Sequence, residues 1–484
     1  MQLPARNWID GQFVSSPSLR ESIDPATYEV IGTYADGGLD AAERSVRAAR
    51  RAFEKTGWAN DGELRARVLN QIADAFERNA KALVELLSRE NGKVKAEAGL
   101  ELALSAPKLR YFAARALVDG GRALTPRPGS VSLILQQPAG VAGIIVPWNS
   151  PVILAVRSLA PALAAGCTVV VKLPGEVAQV AHLMSKIMAE APDLPPGVVN
   201  IFAESGPEGS AFLVDSPDVP VISFTGSTRT GRAIAAAAAR RVKRVGLELG
   251  GKTPMILFDD ADLESALPVL EKAVTTFGGQ FCMAGSRLLV QCGIADRLRE
   301  GLAGRLRAVK VGPAKDPASD MGPLIDRANA ERVDRVVETA IAAGAEVVVR
   351  GGCVREGPLA RGAFYAPSFL QVSDPALAIV QEETFGPVVT MQLFDGEADA
   401  VALANNTEYG LSASIWTRDV GRSLRVAQAL EFGTVWVNDW AKVYDGTEEG
   451  GFKQSGLGRL NGAAAMEDFL EHKHIAFTPG LLSA

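Results

Sequence analysis

Residues 141–174, VAGIIVPWNSPVILAVRSLAPALAAGCTVVVKLP, contain two apolar runs with a helical segment between them. The runs at 141–147 and 168–172 do not alternate with polar residues, whereas 151–165 is long enough for a helix. Strands without alternation, separated by helices, are typical of a parallel sheet that is buried on both faces. These residues therefore predict an α/β fold built from strand–helix–strand units.

The same pattern continues to residue 251. It predicts strands at 198–202, 221–224 and 242–248, and helices at about 176–189 and 228–239. Ligands of open parallel sheets bind beyond the carboxyl ends of the strands. Four predicted strands are followed there by polar or glycine residues, namely Trp148-Asn149, Lys172, Gly226-Ser227 and Glu248-Leu249-Gly250-Gly251. We therefore expect a binding site at this edge of the sheet.

The composition excludes several classes of protein. The 484 residues are 47% hydrophobic and 22% charged, and their number suggests two large domains or three smaller ones. A net charge of −6 argues against a nucleic-acid-binding surface. The uncharged residues 128–156 include four prolines, so they cannot form one membrane-spanning helix. The N-terminus lacks the apolar core of a signal peptide, and we expect a cytoplasmic protein without a membrane partner.

Cysteine and histidine are scarce. Four cysteines are too few for a disulfide framework and fit a reducing compartment. Of the three histidines, His472 and His474 lie close to the C-terminus. We therefore predict neither a histidine-based triad nor a metal site, and we expect any general base to be a carboxylate.

Helical spacing dominates residues 39–105, with Asp40 as a candidate N-cap and a longer helix expected to follow from Asp61. We expect these helices to pack on a core, and we assign them no chemistry. The alternating residues 131–136 predict a strand that lies apart from the main sheet.

Each candidate site residue has an ordinary structural explanation when it is considered alone. Gly226-Ser227 joins a strand to a helix, which suits an anion site and a tight packing turn equally well. Cys282 lies among glycines, but a lone cysteine is usually a small buried apolar residue. Glu248 could cap a turn or pair with a lysine, and Asn149 could be a helix N-cap. The residues alone therefore indicate a two-lobed α/β protein with an anion site and one cysteine of interest.

The order of five motifs resembles that of the aldehyde dehydrogenase superfamily. The motifs are PWN (147–149), FTGS (224–227), ELGGK (248–252), GQFC (279–282) and EETFGP (382–387), flanked by WIDG (8–11) and GFKQSG (451–456). The resemblance covers nearly the whole chain. It implies a Rossmann-type cofactor domain (1–122 and 139–249), an α/β catalytic domain (250–466) and a small β element (123–138 and 467–484) that bridges the subunits of a homodimer or homotetramer.

The resemblance also implies a mechanism. The thiol of Cys282 attacks the aldehyde carbon, hydride leaves for the nicotinamide, and the resulting thioester is hydrolysed. Asn149 and the backbone N–H of Cys282 hold the oxyanion, and Glu248 activates the water. The implied cofactor site consists of Trp148, Lys172, Gly226, Ser227, Gly231, Leu249, Glu383 and Phe385.

The adenosine end of the implied cofactor site departs from the common pattern. Members that prefer NAD often carry a glutamate three residues after the lysine, where this chain has Gly175 followed by Glu176. Without that carboxylate a 2′-phosphate is not obviously repelled. We therefore expect NAD as the cofactor, with NADP tolerated.

Three residues are implied to line the substrate tunnel, namely Arg157, Phe281 and Trp440. Relatives that act on semialdehydes with a carboxylate tail have arginine at the first position, where many members have tryptophan, and a guanidinium binds a carboxylate through two hydrogen bonds. The alternative for Arg157 is an ion pair with an acidic side chain of the protein. We expect an anionic semialdehyde as substrate. An aromatic aldehyde, suited to Phe281 and Trp440, is the alternative, and a coenzyme-A-acylating reaction is less favoured because such relatives generally lack the glutamate. The acidic segment 444–449 is left unexplained.

Overall fold

The computed structural model describes residues 4–118 and 120–479. Its three largest sheets have eight, seven and three strands. The predicted α/β class is confirmed. Within these residues, no helix is both long enough and apolar enough to cross a membrane.

Five parallel strands form the centre of the eight-stranded sheet. In chain order they are Val141–Ile145, Thr168–Pro174, Val199–Glu204, Val221–Thr225 and Arg244–Glu248. Their spatial order is 3-2-1-4-5, as in a Rossmann-type sheet. The antiparallel edge strands are Gln12–Val14, Asn7–Ile9 and Gly456–Leu457. The strand order reverses between the first and fourth strands, so a crevice opens beyond their carboxyl ends.

Eight helices belong to the part of the described chain that surrounds this sheet. They are Gly38–Lys55, Gly62–Asn91, Lys95–Ala103, Ser105–Val118, Pro151–Ala165, Ala178–Met188, Glu208–Asp215 and Thr228–Ala239. The helix predicted to follow from Asp61 is present, and Asp61 caps it by accepting from the backbone N–H of Leu64 at 2.8 Å. The prediction for Asp40 is wrong, because the helix begins two residues earlier and Asp40 lies in its first turn. The helix Glu208–Asp215 was not predicted.

The seven-stranded sheet has six parallel strands and one antiparallel edge strand. In spatial order the strands are Glu346–Val349, Ser368–Gln371, Val388–Phe394, Arg287–Gln291, Pro254–Leu257, Ser412–Trp416 and Thr434–Val437. The accompanying helices are Leu263–Thr275, Ala295–Ala308, Arg327–Ala342, Ala378–Gln381, Glu397–Asn405 and Val420–Ala429. Two-stranded pairs join Leu19–Ile23 to Val30–Ala35, Gly352–Cys353 to Tyr365–Ala366, and Tyr409–Gly410 to Phe452–Lys453.

The three-stranded sheet is antiparallel and consists of Arg122–Leu124, Val131–Pro138 and Leu470–Phe477. The strand predicted at 131–136 does lie apart from the main sheet. No comparison tests the predicted domain boundaries, which stay a prediction.

The chain crosses between the two large sheets more often than those boundaries suggest. Gly456–Leu457 lies within the predicted catalytic domain, 250–466, but it joins the eight-stranded sheet.

Candidate active site

The loops after the fourth and fifth parallel strands lie side by side. The register pairs Thr225 with Glu248. The backbone N–H of Gly226 donates to the carbonyl of Glu248 at 3.0 Å. Ser227 then caps the helix Thr228–Ala239 by accepting from a backbone N–H at 3.3 Å. The polar groups predicted at these two strand ends are therefore brought together.

Cys282 lies between the turn at 276–279 and the strand Arg287–Gln291, against the loop that follows Glu248. A Cβ on Gly251 would stand only 2.5 Å from the carbonyl oxygen of Cys282, so this approach requires glycine. The Cys282 side chain is half-buried. Burial raises the pKa of its thiol to about 12, although the nearby Arg157 acts in the opposite direction. The thiol therefore needs a base to become a nucleophile.

Asn149 reaches the same segment from the first parallel strand. Its side-chain N–H donates to the carbonyl of Gln280 at 3.1 Å, two residues before Cys282. An asparagine amide has two N–H groups, and only one is used in this contact. The amide is buried. It therefore stands beside the nucleophile as a hydrogen-bond donor.

Glu248 has an unusual environment for a carboxylate. Among the described atoms, its Oε1 is buried and has no hydrogen-bond partner. Burial raises the pKa of Glu248 well above the ordinary value, with Arg157 opposing and Glu449 reinforcing the shift. A buried polar atom without a partner is rare and often marks a functional site.

Glu383 is brought to the opposite side of the same glycine loop. The backbone N–H of Gly251 donates to its Oε1 at 3.2 Å, and a Cβ on Gly250 would stand 2.5 Å from its Oε2. Burial raises the pKa of Glu383 to about 7. The ring of Phe385 meets that of Trp148 edge to face, with 5.6 Å between centroids. Predicted cofactor residues from both large sheets thus face each other.

Two residues that the sequence analysis missed support the loop that carries Glu383 and Phe385. Arg332 donates to the carbonyls of Thr384 and Phe385 at 2.9 and 3.3 Å, and Phe385 itself has a left-handed φ of +50°. Lys252 is buried and donates to Thr384 Oγ1 at 3.3 Å. Burial lowers the pKa of Lys252 to about 7.

The predicted adenosine end contains Lys172, whose Nζ is 4.0 Å from Glu204. The space beside Gly175 is already filled, because a Cβ there would stand 2.1 Å from the hydroxyl of Tyr34. A cavity of about 590 Å³ opens beside this contact, and Glu176 is among its lining residues.

Glycine is also required behind the predicted anion site. A Cβ on Gly231 would stand 2.4 Å from Leu249, and one on Gly226 would stand 2.5 Å from the ring of Phe224. These two glycines therefore allow the turn and the helix to pack closely on their neighbours.

Arg157 forms an ion pair within the protein. Its Nη1 lies 2.8 Å from Oε1 of Glu449, and the two side chains are 6% and 8% exposed. Its Nη2 donates to Thr225 Oγ1 at 3.2 Å. Glu449 also accepts from Asn461 at 2.7 Å. This is the alternative stated for Arg157, so binding of a substrate carboxylate by this guanidinium would require the ion pair to open.

The acidic segment left unexplained by the sequence is anchored by this ion pair and by a second one. Lys108 donates to Asp445 Oδ1 at 2.7 Å and to Asn461 Oδ1 at 2.5 Å. Two buried cations thus hold the segment against the helices.

Aromatic rings stand on the other side of the nucleophile. Phe281 meets Trp440 edge to face at 5.8 Å between centroids, and it meets Phe277 in the same way at 5.5 Å. Trp440 is fixed by a hydrogen bond from its Nε1 to the carbonyl of Met283 at 2.8 Å. The predicted aromatic walls are therefore adjacent to Cys282.

The N-terminal helices, to which no chemistry was assigned, do reach the loops of the active site. Asn91, Lys93 and Glu101 contact the loops that hold Asn149 and Cys282. The sequence feature that could have indicated this contact is Gly92, which ends the long helix and is followed directly by the charged residue Lys93.

Metal ligands are not clustered in the part of the chain that the structure describes, since no three His, Cys, Asp or Glu side chains are placed to share an ion.

The sequence model of the aldehyde dehydrogenase family matches residues 13–475. Betaine aldehyde dehydrogenase of Bacillus subtilis (strain 168) is 39% identical over 473 residues, which cover 97% of this chain and 96% of the relative. Human 2-aminomuconic semialdehyde dehydrogenase is 37% identical over 480 residues, with 98% of each chain covered. A crystal structure of betaine aldehyde dehydrogenase from Staphylococcus aureus in complex with NAD⁺ has a TM-score of 0.96 and 37% identity, covering 99% of this chain and 96% of that one.

Proposed function

The chain belongs to the aldehyde dehydrogenase family, and from this premise we propose that it oxidises an aldehyde to the carboxylic acid through a covalent adduct on Cys282. One observation carries the proposal: a thiol, an amide donor and a carboxylate from distant parts of the chain meet. Asn149 reaches the segment before Cys282, and Gly251 brings the Glu248 loop against its backbone.

The first half of the proposed reaction forms the adduct. Glu248 removes the thiol proton, and the sulfur attacks the carbonyl carbon to give a thiohemiacetal. The oxyanion accepts hydrogen bonds from the Asn149 amide and the backbone N–H of Cys282, each typically contributing about 3–4 kcal/mol to transition-state stabilisation.

The second half releases the product. The oxidised nicotinamide, when bound, accepts the hydride that leaves the adduct carbon, and a thioester is left on the sulfur. Glu248 first releases the thiol proton to solvent and then takes a proton from the water that attacks this thioester, and Cys282 departs as the thiolate. The raised pKa of Glu248 makes its carboxylate a stronger base than an ordinary glutamate.

The residues present fit a nicotinamide dinucleotide. In our proposal the N-terminus of the helix Thr228–Ala239 and Trp148 face the pyrophosphate, Lys172 holds the adenosine ribose and Glu383 holds the nicotinamide ribose. The fit rests on one feature of the structure: among the described side chains no cationic group is bonded to Glu383, so its carboxylate can accept hydrogen bonds from ribose hydroxyls.

For the adenosine end we propose NAD as the preferred cofactor, with NADP tolerated. The cavity beside Gly175 leaves room for a 2′-phosphate. However, Glu176 and Glu204 are the charged groups that act on Lys172, and they make the region unfavourable for a further anion.

For the substrate we propose an aromatic or conjugated planar aldehyde. Phe281 and Trp440 stand beside the nucleophile, and either ring can make a stacked or edge-to-face contact with the ring of an aromatic substrate. The Arg157 charge is already compensated by Glu449.

An anionic semialdehyde is the second candidate. Arg157 retains a buried Nε without a hydrogen-bond partner in the described structure, and it is close enough to Cys282 to affect the thiol. The semialdehyde dehydrogenase relative is consistent with this candidate.

The test is a panel of aromatic, acidic and aliphatic aldehydes with each cofactor, in which formation of reduced cofactor is followed by absorbance. We expect turnover without coenzyme A and no turnover by Cys282→Ser. Glu248→Gln should form reduced cofactor slowly and at most about once per subunit, because both the removal of the thiol proton and the hydrolysis of the thioester depend on Glu248. Turnover that depends on coenzyme A, or that survives in Cys282→Ser, would contradict the proposal.

We also propose that copies of the chain associate through the three-stranded sheet. The strand Leu470–Phe477 pairs on one side with Val131–Pro138 and exposes most of its residues, and an unpaired strand edge is a template for another strand. Sedimentation should show a dimer or tetramer; a stable monomer would contradict this. The free cysteines and the need for a reduced Cys282 support a cytoplasmic location.

A further inference from the structure

The turn after the long helix Gly62–Asn91 reaches the active site from the N-terminal part of the chain. Gly92 ends this helix with a left-handed φ of +88°, and Lys93 follows as a buried residue. The side-chain amide of Asn91 donates to the carbonyl of Trp148 at 2.7 Å. The turn is therefore in direct contact with the loop that carries Asn149.

The ammonium group of Lys93 has a partner for each of its three donors. It contacts the carboxylate of Glu101, donates to Ser150 Oγ at 2.9 Å and stands 3.8 Å from the centroid of the Phe277 ring. The side chains of Lys93 and Glu101 are 2% and 0% exposed. The charge is thus buried, and its surroundings define its position.

Two of these partners lie next to the oxyanion donor. Ser150 follows Asn149 directly. Glu101 accepts from the backbone N–H groups of Val152 and Ile153 at 2.8 and 3.2 Å, at the start of the next helix. Lys93 and Glu101 together therefore fix both the loop of Asn149 and the helix into which it leads.

The third partner belongs to the turn that leads to the nucleophile. Phe277 has a left-handed φ of +55°, which is strained for a residue with a side chain, and its ring meets that of Phe281. Its backbone N–H donates to Oε1 of Glu97 at 2.8 Å. The N-terminal segment therefore contacts this turn at two points, through Lys93 and through Glu97.

We propose that Lys93 is a positioning residue that sets the distance between the Asn149 amide and the backbone N–H of Cys282, the two oxyanion donors. The inference rests on the proposed function. A buried ion pair contributes little net stability compared with neutral residues of the same size. The location of this pair, where the two donor loops meet, gives it a geometric role, and a misplacement of about 1 Å can cost about 100-fold in rate.

The test is the double variant Lys93→Met with Glu101→Gln, which removes both charges and retains an oxygen for the Val152 and Ile153 amides. We expect kcat to fall about 100-fold, while KM for aldehyde and cofactor changes less than about threefold and the melting temperature moves by only a few degrees. The matched control is Lys243→Met. Lys243 donates to the carbonyls of Leu213 and Ser216, at the far end of the strand Arg244–Glu248, and kcat should not change.

Two further measurements distinguish positioning from a general loss of structure. Hydrolysis of 4-nitrophenyl acetate by Cys282 needs the oxyanion donors but no dinucleotide, and it should fall by a similar factor. Methylammonium should restore part of the kcat of Lys93→Ala in a saturable way. Wild-type kcat in the double variant, or an equal loss in Lys243→Met, would overturn the inference. A wild-type protein that oxidises no aldehyde would instead refute the proposed function.

Discussion

Replacing Arg157 with methionine would leave the carboxylate of Glu449 buried without its cationic partner. The two groups are 2.8 Å apart at their closest atoms, and both side chains are almost fully buried. Unit charges about 4 Å apart interact by about 4 kcal/mol at an effective dielectric constant near 20. Removing one partner of a buried pair typically costs 3–5 kcal/mol. We therefore expect Arg157→Met to lower the free energy of unfolding by about 4 kcal/mol.

This loss can be converted into a melting temperature. An unfolding entropy of about 2.1 cal/mol/K per residue amounts to roughly 1 kcal/mol/K for the whole chain, so 4 kcal/mol corresponds to about 4 °C. The double variant Arg157→Met with Glu449→Gln leaves no buried charge unpaired, and we expect it to recover more than half of the loss. Calorimetry of the wild type and of the single and double variants measures both values.

The same variants decide between the two roles considered for Arg157. If the ion pair persists during turnover, Arg157→Met should change KM for succinic semialdehyde and for benzaldehyde by the same factor. If Arg157 instead binds the carboxylate of the semialdehyde, the loss of a charged hydrogen bond worth about 1.5–3 kcal/mol should raise KM for that substrate alone by about tenfold or more.

The outcome that refutes the ion-pair argument is specific. An Arg157→Met variant that melts at the wild-type temperature and shows a raised KM only for the semialdehyde would mean that Glu449 does not depend on Arg157. The anionic substrate would then be the preferred proposal.

Three further perturbations test other parts of the site. Asn149→Ala should lower kcat about 100- to 1,000-fold with little effect on KM for the cofactor, as measured by steady-state kinetics. Gly175→Glu should weaken NAD⁺ binding in a fluorescence titration, because its Cβ collides with the Tyr34 hydroxyl, and adding Tyr34→Ala should restore it. Burial raises the pKa of Glu97 from an ordinary value of 4.5 to about 7, so the folded state retains a proton that the unfolded chain releases. The free energy of unfolding should therefore fall as the pH rises from about 4.5 to about 7. The difference between the melting temperatures at about pH 5 and about pH 8 should be smaller for Glu97→Gln than for the wild type.

Much of the fold could be predicted because its first sheet has a clear local signal. The parallel strands Val141–Ile145 and Thr168–Pro174 are runs rich in valine or isoleucine, and the helices Pro151–Ala165 and Thr228–Ala239 have the length and end signals expected of helices. The helix Glu208–Asp215 has only eight residues and includes glycine and serine, so its sequence does not distinguish it from a loop.

Only those site residues that belong to recognisable sequence motifs could be predicted. The residue types at Cys282, Glu248 and Asn149 indicate chemistry through their order along the chain, and the structure brings them together. The partner of Arg157 could not be predicted, because Glu449 lies 292 positions away and no local pattern links the two. The contact of Tyr34 with Gly175 and the role of Lys93 were missed for the same reason.

The contacts of the buried carboxylates also explain why Glu248, rather than a neighbour, is suited to act as the base. Glu449 is held by Arg157 and Asn461, and Glu101 is held by Lys93 and two backbone amides. Both oxygens of each of these two carboxylates are therefore occupied by hydrogen bonds. Glu248 has a buried oxygen without a partner and a raised pKa, so a proton arriving there relieves the cost of a buried charge. The ion pair with Arg157 thus occupies Glu449, and Glu248 is left with an oxygen that can accept a hydrogen bond from the water.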